Sequence, residues 1–150
     1  MFRKSLVPEI RPGASSDEVL RMSAVSRIML NGWIDHIQAS WVKQGVRLAQ
    51  GCLRAGADDL GGTLMNESIS TAAGAPHGQF LRPVDLRVLI FETGRMPAER
   101  STTYRVRRLF EREPEQPDML DLVEPAGARF GSYTSLISSE RFRFRKASLA

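Results

Sequence analysis

The sequence predicts an α/β fold, a parallel strand–helix–strand unit that is incomplete by itself and forms the last strands of a larger barrel. Three observations carry this expectation. A period-two stretch at 33–42 precedes a helical pattern at 45–55 and a short strand at 59–61, and parallel strands need such a crossover. Residues Gly56 to Ser70 run through a helix end, a strand, a glycine pair and a polar helix start. That order belongs to the C-terminal mouth of a barrel strand, where α/β folds place their chemistry. Two parallel strands alone expose both edges and cannot cover their faces, so further strands are expected beside them.

Each element has its own local signal. Residues 1–14 hold two prolines and a glycine and read as an irregular lead-in. Ser15 stands three residues before Glu18, the spacing of a capping box. Val19, Leu20, Met22, Ala24, Val25, Ile28, Met29 and Leu30 then give a broad apolar face to a helix over 17–30, stopped by Asn31-Gly32. Along 33–42, Ile37, Ala39 and Trp41 alternate with His36, Gln38 and Ser40. The next helix buries Val46, Leu48, Ala49, Cys52 and Leu53, and Gly56 closes it in the left-handed conformation. A short polar helix runs through Ala73 to Gly74, and a loop with His77 follows. Pro83 opens another helix, with Leu86, Leu89 and Ile90 at core spacing and Gly94 as its stop. A further helix is expected from Pro97 to Phe110. Residues 1–110 thus form one unit, 111–128 an acidic, proline-containing linker, and 129–150 a tail in which arginines alternate with aromatics.

Composition narrows the classes. The 150 residues are 42% hydrophobic and 25% charged, as expected of a soluble globular chain. No apolar run approaches the roughly 18 residues that span a bilayer. Met1-Phe2-Arg3-Lys4 has no apolar core behind it, which argues against a signal peptide. The net charge of +4 comes largely from 95–108 and 141–146, and reads as solvated arginines rather than a nucleic-acid surface. The lone Cys52 excludes an internal disulfide and fits a reducing cytoplasm. With two histidines and no spaced ligand set, no metal site is expected.

The candidate substrate-binding residues cluster at the strand mouths. Gln38 and Ser40 share a strand face, and polar groups there need partners, either neighbouring strands or a ligand. Gly61 and Gly62 let the backbone approach a ligand or turn sharply, and Thr63 adds a hydroxyl. Glu67 is either an acid favoured by a helix N-terminus or an acceptor for substrate. Asn66 suits a cap, His77 a surface position, and Arg95 and Arg100 are expected to pair with Glu92 and Glu99. No catalytic residue is assigned.

The strings IQASWVK (37–43), GGTLMNESIS (61–70), AAGAPHGQ (72–79) and GRMPAERSTTY (94–104) resemble the radical S-adenosylmethionine FO synthase family. The similarity, to the C-terminal part of the subunit that joins tyrosine to a ribitylaminouracil, runs from about Lys4 to Phe110. It implies an incomplete (β/α) TIM-type barrel and an enzyme in deazaflavin coenzyme biosynthesis. The intact enzyme would use S-adenosylmethionine and a 4Fe-4S cluster to move a tyrosine-derived 4-hydroxybenzyl group onto 5-amino-6-(D-ribitylamino)uracil. The family holds its cluster on a Cys-x-x-x-Cys-x-x-Cys loop, which one cysteine cannot supply. The chain therefore reads as the back end of such an enzyme, with the N-terminal radical half and the other FO synthase subunit as partners. Asp58 departs from the family's usual asparagine, on the side of the barrel that governs stability. Related menaquinone-pathway radical enzymes and a non-catalytic accessory module are the alternative readings.

Overall fold

The computed structural model describes residues 13–64, 69–72, 80–111, 118–124 and 138–141. Helix α1 spans Ser16–Met29, α2 Trp41–Gln44, α3 Val46–Arg54, α4 Ile69–Ala72 and α5 Pro83–Phe91. Strands β1 (Ala98–Arg100) and β2 (Val106–Leu109) form an antiparallel pair, and a 3₁₀ turn covers Met119–Leu122. No helix among the described residues is long and apolar enough to cross a membrane.

Local chemistry sets the helix ends. Ser15 Oγ accepts the Glu18 N–H at 3.2 Å and Glu18 Oε2 accepts the Ser15 N–H at 2.8 Å, closing the capping box. Asp85 does comparable work for α5, accepting from the Arg82 N–H and guanidinium. Gly56, past the end of α3, has φ +121, and a Cβ there would lie 2.7 Å from Arg27 Cβ. Glycine is required on both counts.

The parallel strand–helix–strand unit is present in reduced form. Gln38 and Asp59 make one parallel bridge, with α3 between them in sequence. The Ala39 N–H donates to the Asp59 carbonyl at 2.7 Å and the Asp58 N–H to the Ile37 carbonyl at 3.0 Å. The long strand expected at 33–42 is cut short. Lys43 and Gln44 donate to the Ser40 carbonyl, so Trp41 opens α2 instead of continuing the alternation. With no strand pairing to the other edge among the described residues, helical hydrogen bonds satisfy this backbone.

The core is small and lies between the bridge and α3. Ala39, Trp41, Val42, Ala49, Cys52, Leu53, Ala57 and Leu60 are buried, and Val19, Leu20, Leu86, Leu89 and Ile90 pack around them. Of the expected core positions, Val46, Ala49, Cys52 and Leu53 of α3 and Leu86, Leu89 and Ile90 of α5 lie in or against the core, whereas Leu48 is half-buried outside it. The broad face of α1 does not follow: Met22, Val25, Ile28 and Met29 are exposed, Ile28 by 75%. A fully buried aliphatic side chain contributes about 1.5–3 kcal/mol, so this face leaves substantial stabilisation unused.

The helix expected after Pro97 is a hairpin. Ala98 pairs with Leu109, Glu99 with Arg108 and Arg100 with Val106, with a bulge after Glu99. Ser101 closes the turn, accepting the Tyr104 N–H on its carbonyl and the Arg105 N–H on Oγ. Ser and Thr compete for backbone groups in this way, which favours turns over helix interiors. Within the stretch read as a linker, Asp121 of the 3₁₀ turn accepts from the Val84 N–H and from Arg87, docking the turn on α5.

Two outcomes follow. Gly56→Ala lowers unfolding free energy by about 1–3 kcal/mol, as expected when a side chain is forced into a left-handed backbone, while Gly13→Ala, with nothing within 4 Å, changes it little; urea denaturation separates the two. The chain by itself binds 8-anilinonaphthalene-1-sulfonate and self-associates, and Ile28→Glu reduces both, read by fluorescence and sedimentation velocity.

Candidate functional site

The bridge and the turn after it bring two of the expected site residues together. Gly61 has φ +80, and its N–H donates to Asp59 Oδ1 at 2.7 Å. A Cβ on Gly61 would lie 2.5 Å from Gln38 Nε2, so the Gln38 carboxamide occupies the space that a side chain would take. Gly62 is fixed from the other side, where Trp41 Nε1–H donates to its carbonyl at 3.3 Å. Thr63 is half-buried just beyond. Ser40, also half-buried, immediately precedes α2, and its carbonyl closes that helical turn. Glu67, Asn66 and His77 lie outside the described residues. An exposed carboxamide with one acceptor and two donors, beside a turn free of side chains, suits recognition of a flat polar edge.

Charge reinforces the same strand ends. Asp59 is buried, and its Oδ2 accepts from Arg100 Nε at 3.0 Å and from Arg100 Nη2. The Arg100 guanidinium lies 4.2 Å over the Tyr104 ring, which stacks on His36 with centroids 4.1 Å apart and planes 7° from parallel. His36 Nδ1–H donates to Asp58 Oδ2 at 2.7 Å. Asp58 Oδ1 accepts from the Ile37 N–H and from Arg27 Nη2, each at 2.7 Å. Arg27 also donates to the Gly56 and Asp35 carbonyls, tying α1 to both strand segments.

These contacts correct the expected ion pairs. Arg100 pairs with Asp59 rather than Glu99, which lies 4.0 Å from Arg107. Arg95 reaches the Ala57 carbonyl at 3.5 Å, and Glu92 accepts from Gln50 at 2.7 Å. Asp59 was legible in principle, because a carboxylate between the apolar Ala57 and Leu60 of a strand demands a cation. Nothing in sequence spacing identifies that cation as Arg100.

At these strand ends Asp58 and Tyr104 titrate away from their usual range. Burial disfavours the Asp58 carboxylate, but the Ile37 N–H, His36 and Arg27 outweigh it and hold its pKa below the ordinary aspartate value. Burial, then the neighbouring Asp59 charge, pushes the Tyr104 hydroxyl up. Cys52 is buried in α3, and its S–H donates to Gln44 Oε1 at 3.7 Å. One inward-facing thiol does not fit an iron–sulfur cluster, which needs several thiolates.

Residues 3–113 match the model of the family described as the CofH/MqnC C-terminal region. The 5-amino-6-(D-ribitylamino)uracil--L-tyrosine 4-hydroxyphenyl transferase 1 of Methanosarcina barkeri is 47% identical over 112 residues, 74% of this chain and 30% of that protein. The transferase of the same name from Archaeoglobus fulgidus is 52% identical over 94 residues, 63% of this chain and 27% of that protein. The one from Methanocaldococcus jannaschii is 48% identical over 96 residues, 64% and 27% of the two chains. This chain spans less than a third of the length of these curated relatives. No solved structure matches it.

The depressed Asp58 pKa sets the direction of a pH effect. Stability from the Asp58 contacts is present above the unfolded-state pKa of about 3.9 and is lost as pH falls through the lower folded-state value. Urea unfolding between pH 3 and 6 should show an acid loss of stability in the unaltered chain. Asp58→Asn should be less stable at pH 6, with a shallower loss toward pH 3.

Proposed function

Because the chain belongs to the CofH/MqnC C-terminal region family, we propose that it is the C-terminal part of a radical S-adenosylmethionine transferase of deazaflavin coenzyme biosynthesis. That enzyme joins the tyrosine-derived 4-hydroxybenzyl group to 5-amino-6-(D-ribitylamino)uracil. The observation that carries the reading is the identity of about half to relatives named for this transfer, over a C-terminal region only. The family description also covers a menaquinone-pathway type, and the names of the relatives favour the uracil acceptor.

On this reading residues 1–110 supply the last units of a TIM-type barrel, 111–128 are a linker whose 3₁₀ turn is anchored on α5 through Asp121, and 129–150 are a C-terminal tail. The exposed apolar face of α1 supports a missing neighbour. So does an open groove of about 800 Å³ between α1 and Ile37–Gln38, lined by Val19, Met22 and Val25. Barrel strands and helices of the N-terminal radical half would fill these places. The cluster and S-adenosylmethionine supply the radical chemistry of the intact enzyme, and this chain offers no ligand set for the cluster. Its own residues bind and orient: Gln38, Ser40, Gly61, Gly62, Thr63 and Glu67 form part of the substrate wall. The carboxamide of Gln38 complements the adjacent carbonyl and N–H of a uracil ring. The other FO synthase subunit is the proposed functional partner, and the cytoplasm the proposed compartment.

The test is co-expression with the N-terminal part of the A. fulgidus relative. A soluble complex should form, bind iron and sulfide after anaerobic reconstitution, and convert tyrosine and 5-amino-6-(D-ribitylamino)uracil to the joined product. The chain alone should hold no cluster and form no product. In the complex, Gln38→Ala or Glu67→Gln should lower turnover by up to about 100-fold while cleavage of S-adenosylmethionine continues, as misplacement of a substrate does. A stoichiometric four-iron cluster on the chain alone, or a complex without product, would sink the reading.

A further inference from the structure

We infer that Arg100 is a positioning residue for the proposed substrate wall, acting through the Asp59 carboxylate on the Gly61–Gly62 turn; this rests on the reading above. The geometry is a relay of fixed contacts. Arg100 Nε and Nη2 both converge on Asp59 Oδ2. The second oxygen, Oδ1, is thereby aimed at the Gly61 N–H, 2.7 Å away. That hydrogen bond holds Gly61 at φ +80, with its side-chain-free Cα against Gln38 Nε2. Each link removes a freedom. The paired donors anchor Oδ2, Oδ1 holds the glycine amide, and the glycine leaves the space that the carboxamide fills.

Burial argues for position rather than for surface charge pairing. The Asp59 side chain is 7% exposed and that of Arg100 27%. A buried charged pair is weak as a source of stability but fixes geometry, because either partner alone is left costly and unpaired. Arg100 is itself held over Tyr104, and Tyr104 stands at φ 59, a conformation that is strained for a residue with a side chain. Strain of this kind persists where surrounding contacts over-determine it. Here the His36 stack and the Arg100 contact supply them, so the hairpin is built to deliver one guanidinium to one carboxylate.

The test has two arms. Hydrogen–deuterium exchange by mass spectrometry on the 150-residue chain, resolved at Gly61, should show about tenfold faster exchange in Arg100→Gln, and much of the protection restored in Arg100→Lys, which keeps the charge. In the complex with the N-terminal part, Arg100→Gln should raise KM for 5-amino-6-(D-ribitylamino)uracil by about tenfold with kcat within about twofold, and Arg100→Lys should recover most of the loss. Arg47→Gln, altering an exposed arginine of α3, should leave both readouts unchanged. Unaltered Gly61 exchange in Arg100→Gln would overturn the relay. Altered exchange with KM unchanged, or with kcat and KM shifted as general unfolding would shift them, would overturn its role at the wall. Failure of the proposed function shows separately, as no product from the unaltered complex, and the exchange result then decides the relay.

Discussion

The parallel pairing of the two strand segments is a single bridge, and two aspartate–arginine contacts hold it where a wider sheet would use backbone ladders. Asp58 faces Arg27 of α1, and Asp59 faces Arg100 of the hairpin. The consecutive carboxylates bind elements from opposite sides of the chain's order. Arg27 brings in the helix that precedes the first strand segment, and Arg100 the hairpin that follows α5. Remove Arg100 and the buried Asp59 carboxylate loses its cation, a change that costs more than the intact pair contributes.

The two contacts differ in kind. Arg27 and Asp58 are each about 30% exposed, with His36 sharing the carboxylate, and a pair so open to water contributes little by charge alone. Its value lies in the three carbonyl and carboxylate acceptors that Arg27 satisfies at once, which join Gly56, Asp35 and Asp58. Asp59 is shielded, so its contact with Arg100 is directional and feeds the glycine turn. Structural tethering and site geometry thus fall to adjacent residues on one short strand.

What the sequence made legible was local or periodic. The capping box at Ser15 and Glu18 needs three residues of spacing, and the buried side of α3 needs only a 3.6-residue repeat. The meeting of Gln38 with Gly61 was also readable, because strands joined through one helix lie side by side. The hairpin was not readable. Tyr104 must adopt a left-handed backbone that its own sequence opposes, and the contacts that compensate come from His36 and Arg100, 68 and 4 positions away. Asp59 carried a signal without an address: its burial demanded a cation, yet the nearest arginine in sequence was no guide to the one in space.

The same reasoning explains why α1 satisfied its pattern and still left its face in water. Periodicity reports the face that a helix offers for burial, not whether a partner is in the chain at hand. Val19 and Leu20 meet the core, while Met22, Val25, Ile28 and Met29 border or lie beyond the groove at Ile37–Gln38. Among the described residues no strand pairs with the far edge of the bridged segments, so on the proposed reading this face and that edge together mark the side on which the rest of a barrel would pack. The polar side needs no such completion, since Arg27, His36, Tyr104 and Arg100 already satisfy Asp58 and Asp59. On that reading the N-terminal half would add to the apolar side of this unit and leave the charged end of its strands as it stands.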